Sequence, residues 1–152
     1  MTIESAQVGL RRTRELAHSH CVVCGHTNSL GLRLDFSASD DGHVQARFDC
    51  GRPFEGYAGI VHGGVIASLL DGAMTNCMFA RGIPALTAEL TVRYRHPLVV
   101  GTSAVVRARV ERSIPPLHLL KAEIVQAAQV KATACGKFME HAYAGDGGEA
   151  SL

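Results

Sequence analysis

The stretch GYAGIVHGGVIASLLDGAM, residues 56–74, contains residues whose types and spacing could do chemistry. The triplet His62, Gly63 and Gly64 precedes an apolar run with a single acidic residue, Asp71. The first turn of a helix has unpaired backbone N–H groups and the positive end of the helix dipole, so it attracts developing negative charge. Glycines there would let a substrate carbonyl reach the backbone, where the Gly63 N–H could stabilise an oxyanion. The alternative is that both glycines only permit close helix packing.

Asp71 favours the chemical interpretation, because an ionisable group in an apolar helix is costly unless it is paired or used. It lies eight residues after Gly63, which corresponds to about 12 Å along a helix and about 80° beyond two turns. One helix therefore cannot bring both groups to the same reacting atom. If they cooperate, Gly63 of one subunit must face Asp71 of another in a symmetric dimer. In the alternative, Asp71 pairs with a nearby basic or hydroxyl side chain.

The surrounding residues predict one long central helix. Apolar residues after the triplet recur at spacings of one, three and four, which is typical of a wide helical stripe. Arg81, Gly82 and Pro84 match the usual C-terminal residues of a helix, so the helix is predicted over residues 62–81. Residues 51–60, with three glycines and one proline, predict an irregular loop before it.

The sequence on both sides of this helix alternates between apolar and polar residues, as strands do. A first helix is predicted over residues 4–17. The predicted strands are LGLRLDF (30–36) and HVQARFDC (43–50) before the central helix, and ALTAELTVRYRHP (85–97), GTSAVVRARVERSI (101–114), LHLLKAEIVQ (117–126) and VKATACGKFMEHAY (130–143) after it. This order predicts the α+β class, with an antiparallel sheet wrapped around a long central helix.

Composition favours one globular domain in the reducing cytoplasm. The chain has 152 residues, 47% hydrophobic and 19% charged, with a net charge of +1. It has no apolar run long enough to span a bilayer, so no membrane partner is expected. Its dense basic group, RRTRE at residues 11–15, lacks aromatic residues that could stack on bases, which argues against nucleic acid. Five cysteines and an N-terminus without a secretory signal fit the cytoplasm.

The two strands followed by GYxGIVHGGxxAxLLDxAM and then TAELTVRYRHP resemble the hotdog-fold acyl-CoA thioesterases, in particular the branch typified by the phenylacetate-degradation thioesterase. The resemblance covers roughly residues 28–142. It implies the hotdog fold, a thioester hydrolase without a cofactor, and a homodimer whose sheets join, often paired again as a homotetramer. The expected organisation is an N-terminal helix and CxxC turn over 1–27, a hotdog domain over 28–142 and a flexible tail over 143–152.

The resemblance also implies roles for individual residues. Gly63 matches the glycine whose N–H polarises the thioester carbonyl, and Gly64 is expected beside the substrate. Asp71 matches the acid that serves as general base for water or as nucleophile. His62 matches the triplet histidine, which holds the preceding loop, and Thr87 matches a Ser/Thr position that helps to orient the attacking water.

One position departs from the family pattern. Many members carry Asn or Gln seven residues before the oxyanion glycine as a second donor to the carbonyl, whereas this chain has Gly56 there, with Glu55 beside it. An ionised carboxylate cannot donate a hydrogen bond. Either the second donor is missing, or Glu55 acts as another base or as an orienting group.

Thr87 raises a question of strand geometry. Simple alternation places Thr87 on the same strand face as Glu89, Thr91 and Arg93. A bulge near the start of the strand would turn it to the other face.

Acyl-CoA is the expected partner, and its phosphates require cations. Cations are available near the predicted strand and helix ends in Arg93, Arg95, Arg81 and Lys137, although solvated strand residues are the commoner explanation. Two other functions are compatible with the resemblance. One is an acyl-CoA or aromatic-ligand binding protein that lacks efficient catalysis, which the glycine at position 56 motivates. The other is a hotdog dehydratase, which normally needs a catalytic histidine and an acid placed differently.

The N-terminal segment HSHCVVCGHTNSLGL, residues 18–32, offers potential metal ligands in His18, His20, Cys21, Cys24 and His26. A CxxC pair beside histidines could bind zinc tetrahedrally. The sequence lacks the second CxxC or HxxxH that makes a zinc motif convincing, so a tight turn with reduced thiols is favoured and no metal site is predicted. The segment also resembles a CxxCGxxNxxGL element that precedes the first strand in this branch, where a structural role is expected.

Overall fold

A computed structural model of the chain describes residues 1–142. The predicted flexible tail, 143–152, lies outside the described residues. The elements in chain order are α1 (Ile3–Ala17), β1 (Ser37–Ala38), β2 (Val44–Asp49), α2 (Gly63–Ala80), β3 (Ala85–Tyr94), β4 (Ser103–Ile114), β5 (Leu117–Gln126) and β6 (Gln129–Glu140). A short 3-10 turn, Arg52–Phe54, lies in the loop before α2.

The strands form one antiparallel sheet in the order β1-β2-β4-β5-β6-β3. Helix α2 packs against this sheet and is buried along most of its length, including Leu69, Leu70, Ala73 and Met74 at 0% exposure. Buried residues alternate with exposed ones in β2 and mostly with half-buried ones in β5, as expected for a sheet with one covered face. The predicted α+β class, with an antiparallel sheet around a central helix, is confirmed.

Helix α2 begins and ends where its sequence predicts. His62 is its N-cap, and the His62 ring accepts a hydrogen bond from the Gly64 N–H. Past the end, Gly82 takes a φ of 70°, a left-handed conformation that favours glycine. No helix among residues 1–142 is long and apolar enough to cross a membrane.

The predicted first strand, 30–36, is wrong. β1 contains only Ser37–Ala38. Arg33 has a φ of 51°, which breaks an extended chain. The backbone N–H groups of Leu32 and Leu34 donate to carbonyls of the CxxC turn and not to a neighbouring strand. The apolar alternation was real, because Leu34 is buried, but it belongs to a segment that lies on the N-terminal turn.

The bulge that Thr87 required is present in β3. Thr87 pairs with Phe138, Glu89 pairs with Lys137, and the register shifts between the two pairs. Phe138 is fully buried on the α2 side of the sheet, so Thr87 faces the helix while Glu89 does not. The extra residue, Ala88, turns the first part of the strand toward α2.

β3 is an edge strand with a free side. It lies at the end of the sheet and pairs with β6 alone among residues 1–142. Most of its ten residues are exposed, including Leu86 at 50% and Tyr94 at 55%. A long, exposed edge strand is a surface on which another strand can pair.

α1 closes the other end of the core by packing on the C-terminal half of α2. Leu10 is 0% exposed. A Cβ atom on Gly9 would lie 2.9 Å from the Ala80 carbonyl oxygen, so glycine allows the two helices to approach closely. The N-terminal helix is therefore part of the core.

This packing predicts that Leu10→Ala lowers the free energy of unfolding by about 2–5 kcal/mol, because a fully buried leucine leaves a cavity. Leu16→Ala on the same helix makes the same chemical change at a residue that is 65% exposed, and should change stability by less than about 0.5 kcal/mol. Urea denaturation of both variants measures the difference. Equal effects would show that α1 does not dock on the core.

Candidate active site

The N-terminus of α2 is held by two side chains. His62 Nδ1 accepts the Gly64 N–H at 2.8 Å, and the Tyr94 hydroxyl donates to the Gly63 carbonyl at 2.8 Å. The Gly63 N–H has no hydrogen-bond acceptor among residues 1–142. The helix end thus keeps a free donor in a fixed orientation, at the positive end of the helix dipole.

A cavity of about 720 Å³ opens at this helix end. Apolar side chains supply much of its wall, together with the backbone of the glycine-containing loop. Its lining residues are Gly56, Tyr57, Ile60, Val61, His62, Gly63, Ile66, Tyr94, Arg95, His96, Pro97 and Leu98. The cavity has the size and character of a small-molecule site with one polar end.

Asp71 lies two turns further along α2 and does not line this cavity. The Thr87 hydroxyl donates to Asp71 Oδ1 at 2.6 Å. Burial raises the pKa of Asp71 above its ordinary value, the hydrogen bond from Thr87 lowers it, and the nearby Cys21 raises it further. Asp71 is thus a partly buried carboxyl group with one oxygen fixed by a hydroxyl and a pKa shifted toward neutrality, which is typical of a general base.

The loop before the helix explains the glycine at position 56. A Cβ atom on Gly56 would lie 3.2 Å from His62 Cα and 3.3 Å from the His62 ring, so a side chain there would press on the helix cap. The Glu55 carboxylate is directed into the same loop, where its Oε1 accepts the Gly59 N–H at 3.0 Å. This bond ties the Glu55 carboxylate to the backbone of its own loop.

The two predicted arginines lie in different surroundings. Arg95 lines the cavity at the helix end and also a second cavity of about 410 Å³. Arg93 lines only the second of these two cavities. It lies on the sheet face away from α2, as Glu89 does. The second cavity is rich in cations, with Arg107, Arg109 and Lys121 beside them. The structure therefore brings Arg95, but not Arg93, to the cavity that Gly63 lines.

Sequence reasoning missed Tyr94. Beyond the bulge, Leu90, Val92 and Tyr94 pair with the buried-side positions of β6. The alternation Leu90–Val92–Tyr94 was therefore the signal that marks the helix-facing side of the strand. Tyr94 could have been found if the two faces of the strand had been assigned from this pattern and not from the residues at its N-terminal end.

The CxxC turn was predicted to be structural, and the structure places it against α2 beside Asp71. Val23 touches the helix so closely that a Cβ atom on Gly72 would lie 2.6 Å from Val23 Cγ1. A hydrogen bond from Cys24 lowers the pKa of Cys21 to about 3. The same bond, with burial, raises the pKa of Cys24. The two thiols thus titrate as a coupled pair, in which ionisation of Cys21 is favoured over ionisation of Cys24.

Comparison with known proteins finds similarity in the region that contains the candidate site. A family model described as the thioesterase superfamily matches residues 58–114, which include Gly63, Asp71 and Thr87. Acyl-coenzyme A thioesterase THEM4 of Mus musculus is 32% identical over 65 residues, which are 43% of this chain and 28% of that protein. The chain thus spans less than a third of the length of this curated relative.

The fold is similar to solved structures, two of which cover most of this chain. The E. coli PaaI protein from the phenylacetic acid degradation operon has a TM-score of 0.77 and 19% identity, covering 93% of this chain and 97% of that one. A Streptococcus mutans UA159 protein bound to acetyl CoA has a TM-score of 0.67 and 19% identity, covering 77% of this chain and 97% of that one. The predicted hotdog fold and the resemblance to the acyl-CoA thioesterase superfamily are confirmed.

The raised pKa of Asp71 predicts that this carboxylate reduces stability. Asp71→Asn should unfold at or above the wild-type temperature, since asparagine keeps the Oδ1 acceptor for Thr87 and removes the buried charge. The sign follows from linkage: a carboxyl whose folded pKa is raised loses stability as pH rises from its ordinary value of 3.8 through the raised value. The melting temperature of the wild type should therefore fall relative to that of Asp71→Asn as pH rises through this range.

Thermal melts from pH 4 to 8 measure this prediction. Asp40→Asn, at an exposed aspartate, is the matched control and should follow the wild type at every pH. A variant Asp71→Asn that melts well below the wild type throughout would show that the ionised carboxylate stabilises the fold.

Proposed function

We propose that this hotdog-fold protein, which resembles the acyl-CoA thioesterase superfamily in sequence and structure, hydrolyses an acyl-CoA thioester at a site shared by two subunits. The observation that carries the proposal is the position of Asp71. Its carboxyl group is hydrogen-bonded by Thr87 at 2.6 Å. The first N–H of the same helix has no acceptor among residues 1–142, and Asp71 lies about 12 Å from that N–H by helical rise. The two groups are complementary parts of one reaction, held too far apart to act on one carbonyl within one chain.

The proposed reaction begins when the thioester carbonyl oxygen accepts a hydrogen bond from the Gly63 N–H of one subunit. Asp71 of the other subunit takes a proton from water while the water oxygen bonds to the carbonyl carbon. The tetrahedral intermediate carries its negative charge on the oxygen that faces the helix N-terminus. Collapse of this intermediate breaks the carbon–sulfur bond. Coenzyme A leaves as the thiol after its sulfur receives the proton held by Asp71. The acyl group leaves as the carboxylic acid, which becomes a carboxylate by releasing the proton of its new hydroxyl to solvent.

The surrounding contacts support these roles. The Thr87 hydroxyl donates to one oxygen of Asp71, which leaves the other oxygen for water. The Tyr94 hydroxyl and the His62 ring hold the Gly63–Gly64 peptide units at the helix start. His62 is occupied as a helix cap, so it positions the oxyanion donor and transfers no proton.

A homodimer would complete the site. In the part of the chain that the structure describes, the outer edge of β3 has no partner strand along its ten residues, and Tyr94, which bonds to the helix end, lies on this strand. Pairing of two such edges in an antiparallel manner would continue the sheet and place two α2 helices side by side. Dimers of this kind could pair again as tetramers.

The cavity at the helix end suits an acyl group. Ile60, Val61, Ile66 and Leu98 form an apolar wall, and Arg95 supplies a cation at its edge. Coenzyme A carries phosphates that Arg95 could bind, and the similar Streptococcus mutans protein was solved bound to acetyl CoA. Arg93, with the cations of the opposite sheet face, would reach coenzyme A only if the ligand extended around the strand end.

A second candidate function is an acyl-CoA binding protein without efficient turnover. It is favoured by one observation, which is that Gly56 offers no side-chain donor and lies against His62, so the carbonyl would have the Gly63 N–H alone. Thermal stabilisation by acyl-CoA esters without release of free thiol would establish this function in place of hydrolysis.

The role of the Gly63 N–H is tested with Gly63→Pro, which removes this donor. Proline is well tolerated at the first position of a helix, and His62 already has the extended conformation that a following proline requires, with φ −59° and ψ 137°. Release of thiol from a panel of acyl-CoA esters should fall by about 100- to 1,000-fold in kcat. Gly63→Ala keeps the N–H and meets Tyr94 at an ordinary 3.5 Å, so it should remain active. Equal loss in both variants would contradict a role for the N–H.

The shared site is tested in the same assay with mixed dimers. Gly63→Pro and Asp71→Asn should each be inactive alone. A heterodimer purified with two different tags contains one site in which both groups are intact, so it should recover about half of the wild-type activity. If both groups acted within one chain, every site would lack one of them and the heterodimer would stay inactive.

The Thr87 hydrogen bond predicts a change in pH dependence. Because this bond lowers the pKa of Asp71, Thr87→Val should raise that pKa further. A general base must be ionised, so activity falls as pH drops through the pKa, and the acidic limb of kcat/KM should move to higher pH. Thr91→Val, on the opposite face of the same strand, is the control. An unmoved limb in Thr87→Val would show that Asp71 is not the titrating base.

A further inference from the structure

We infer that His18, Cys21 and Cys24 form a binding site for a thiophilic metal ion of the zinc class. These residues lie in the N-terminal segment, outside the proposed hydrolytic site. The sequence offered a single CxxC pair and predicted no metal, because a second pair of ligands was absent. The structure supplies a third ligand, His18, from the end of α1.

The three donor atoms already lie close together. The ligand atoms of His18, Cys21 and Cys24 are all within 4.8 Å of one another, and His18 Nδ1 lies 3.9 Å from Cys24 Sγ. Around a tetrahedral zinc ion, with Zn–S near 2.3 Å and Zn–N near 2.0 Å, such donor atoms are about 3.5–4 Å apart. The widest pair needs to contract by only about 1 Å, which side-chain rotation supplies.

The backbone of the CxxCG turn is shaped to present both sulfur atoms. The Gly25 N–H donates to the Cys21 carbonyl at 2.9 Å, and a Cβ atom on Gly25 would lie 2.3 Å from the Cys21 nitrogen, so this turn requires glycine. The Val23 N–H donates to Cys21 Sγ at 3.3 Å. Backbone N–H groups directed at a cysteine sulfur orient the ligand and stabilise the thiolate that binds metal.

Helix α2 supplies the outer support. The His18 ring packs edge-on against Phe79, with ring centroids 4.8 Å apart. Asn76 is 0% exposed, its Nδ2 donates to the Gly72 carbonyl at 2.8 Å, and its amide lies close enough to Cys24 to lower the pKa of that thiol. Asn76 Oδ1 has no partner among residues 1–142. A fully buried amide with an unpaired oxygen beside the thiols is costly to maintain unless the site binds something.

The donor set selects the metal. Two thiolates and an imidazole favour zinc or another thiophilic ion over magnesium or calcium, which prefer oxygen. Two thiolates also neutralise a divalent charge, so the buried Arg14, paired with Asp35 at 3.0 Å, need not be repelled by the loaded site. Three protein ligands leave a fourth position open, and the half-buried Cys21 and His18 leave that side accessible to water.

A metal ion at this position would fasten the N-terminal segment to the helix that carries Asp71. His18 lies just beyond α1, and the CxxC turn presses Val23 against Gly72, the residue after Asp71. Binding would therefore add folding free energy to this contact. A disulfide between Cys21 and Cys24 is the competing chemistry, and it would need an oxidant.

The experiment uses the full chain, reduced and freed of metal with a chelator, and then titrated with zinc or with cobalt(II) as a spectroscopic probe. The expected result is one metal ion per chain, thiolate-to-cobalt charge transfer in the near ultraviolet, intense visible bands of tetrahedral cobalt, and a higher melting temperature with zinc. Cys21→Ser and His18→Gln should each weaken zinc binding by about tenfold or more. None of these measurements depends on hydrolysis, so their outcome is independent of the proposed function.

Matched controls separate this site from other cysteines and histidines. Cys135→Ser removes an exposed thiol elsewhere, and His20→Gln removes an exposed imidazole of the same segment; both should bind zinc as the wild type does. Far-ultraviolet circular dichroism confirms the fold of each variant. No stoichiometric uptake by the wild type, or equal uptake by Cys21→Ser and His18→Gln, would overturn the inference. Loss of two hydrogen masses under mild peroxide with no protection by zinc would assign the pair to disulfide chemistry instead.

Discussion

The hydrogen bond from Thr87 to Asp71 is the interaction on which the arrangement of the candidate site depends. A carboxylate on a buried helix is costly, and at 2.6 Å this one has a single short donor from the neighbouring strand. That donor reaches the helix only because β3 has a bulge between Thr87 and Glu89. Without the extra residue, the register of the Glu89–Lys137 pair would continue to the start of the strand, and Thr87 would point to the outer face of the sheet. The register of one edge strand therefore determines the chemistry of the central helix.

The same strand also holds the other end of the helix. Tyr94 lies past the bulge on the helix-facing side, and its hydroxyl bonds to the Gly63 carbonyl. β3 thus contacts α2 at both functional positions, about two turns apart. Because β3 is also an edge strand of the sheet formed by residues 1–142, any chain that paired with it would lie next to both positions. Self-association and catalysis would then depend on one strand.

The N-terminal segment has a role in this arrangement that its position in the chain does not suggest. α1 covers the C-terminal half of α2 through Leu10, and the CxxC turn covers the middle of α2 at Gly72. Residues 30–36 bond to this turn and form no strand. Much of what precedes the main sheet therefore serves to bury the one face of α2 that the sheet leaves uncovered. Asp71 is partly buried for the same reason, and burial is the main cause of its raised pKa.

The sequence by itself determined the elements whose signals are local. Apolar spacing and terminal residues defined α2 to within a residue, and alternation located five of the six strands, because helix and strand periods are properties of the chain. Helix geometry also showed that Gly63 and Asp71 are too far apart to meet on one helix. The three-dimensional structure alone decided that Tyr94 meets Gly63 across two elements, and that Glu55 bonds to Gly59 and His18 lies beside Cys24 within folded loops. It also decided that 30–36 is not a strand, since Arg33 takes a left-handed φ that no pattern of apolar residues encodes. The contact of Tyr94 with Gly63 joins residues 31 positions apart and depends on strand register and helix packing, whereas the other two contacts depend on loop backbone conformation. A one-dimensional pattern contains neither.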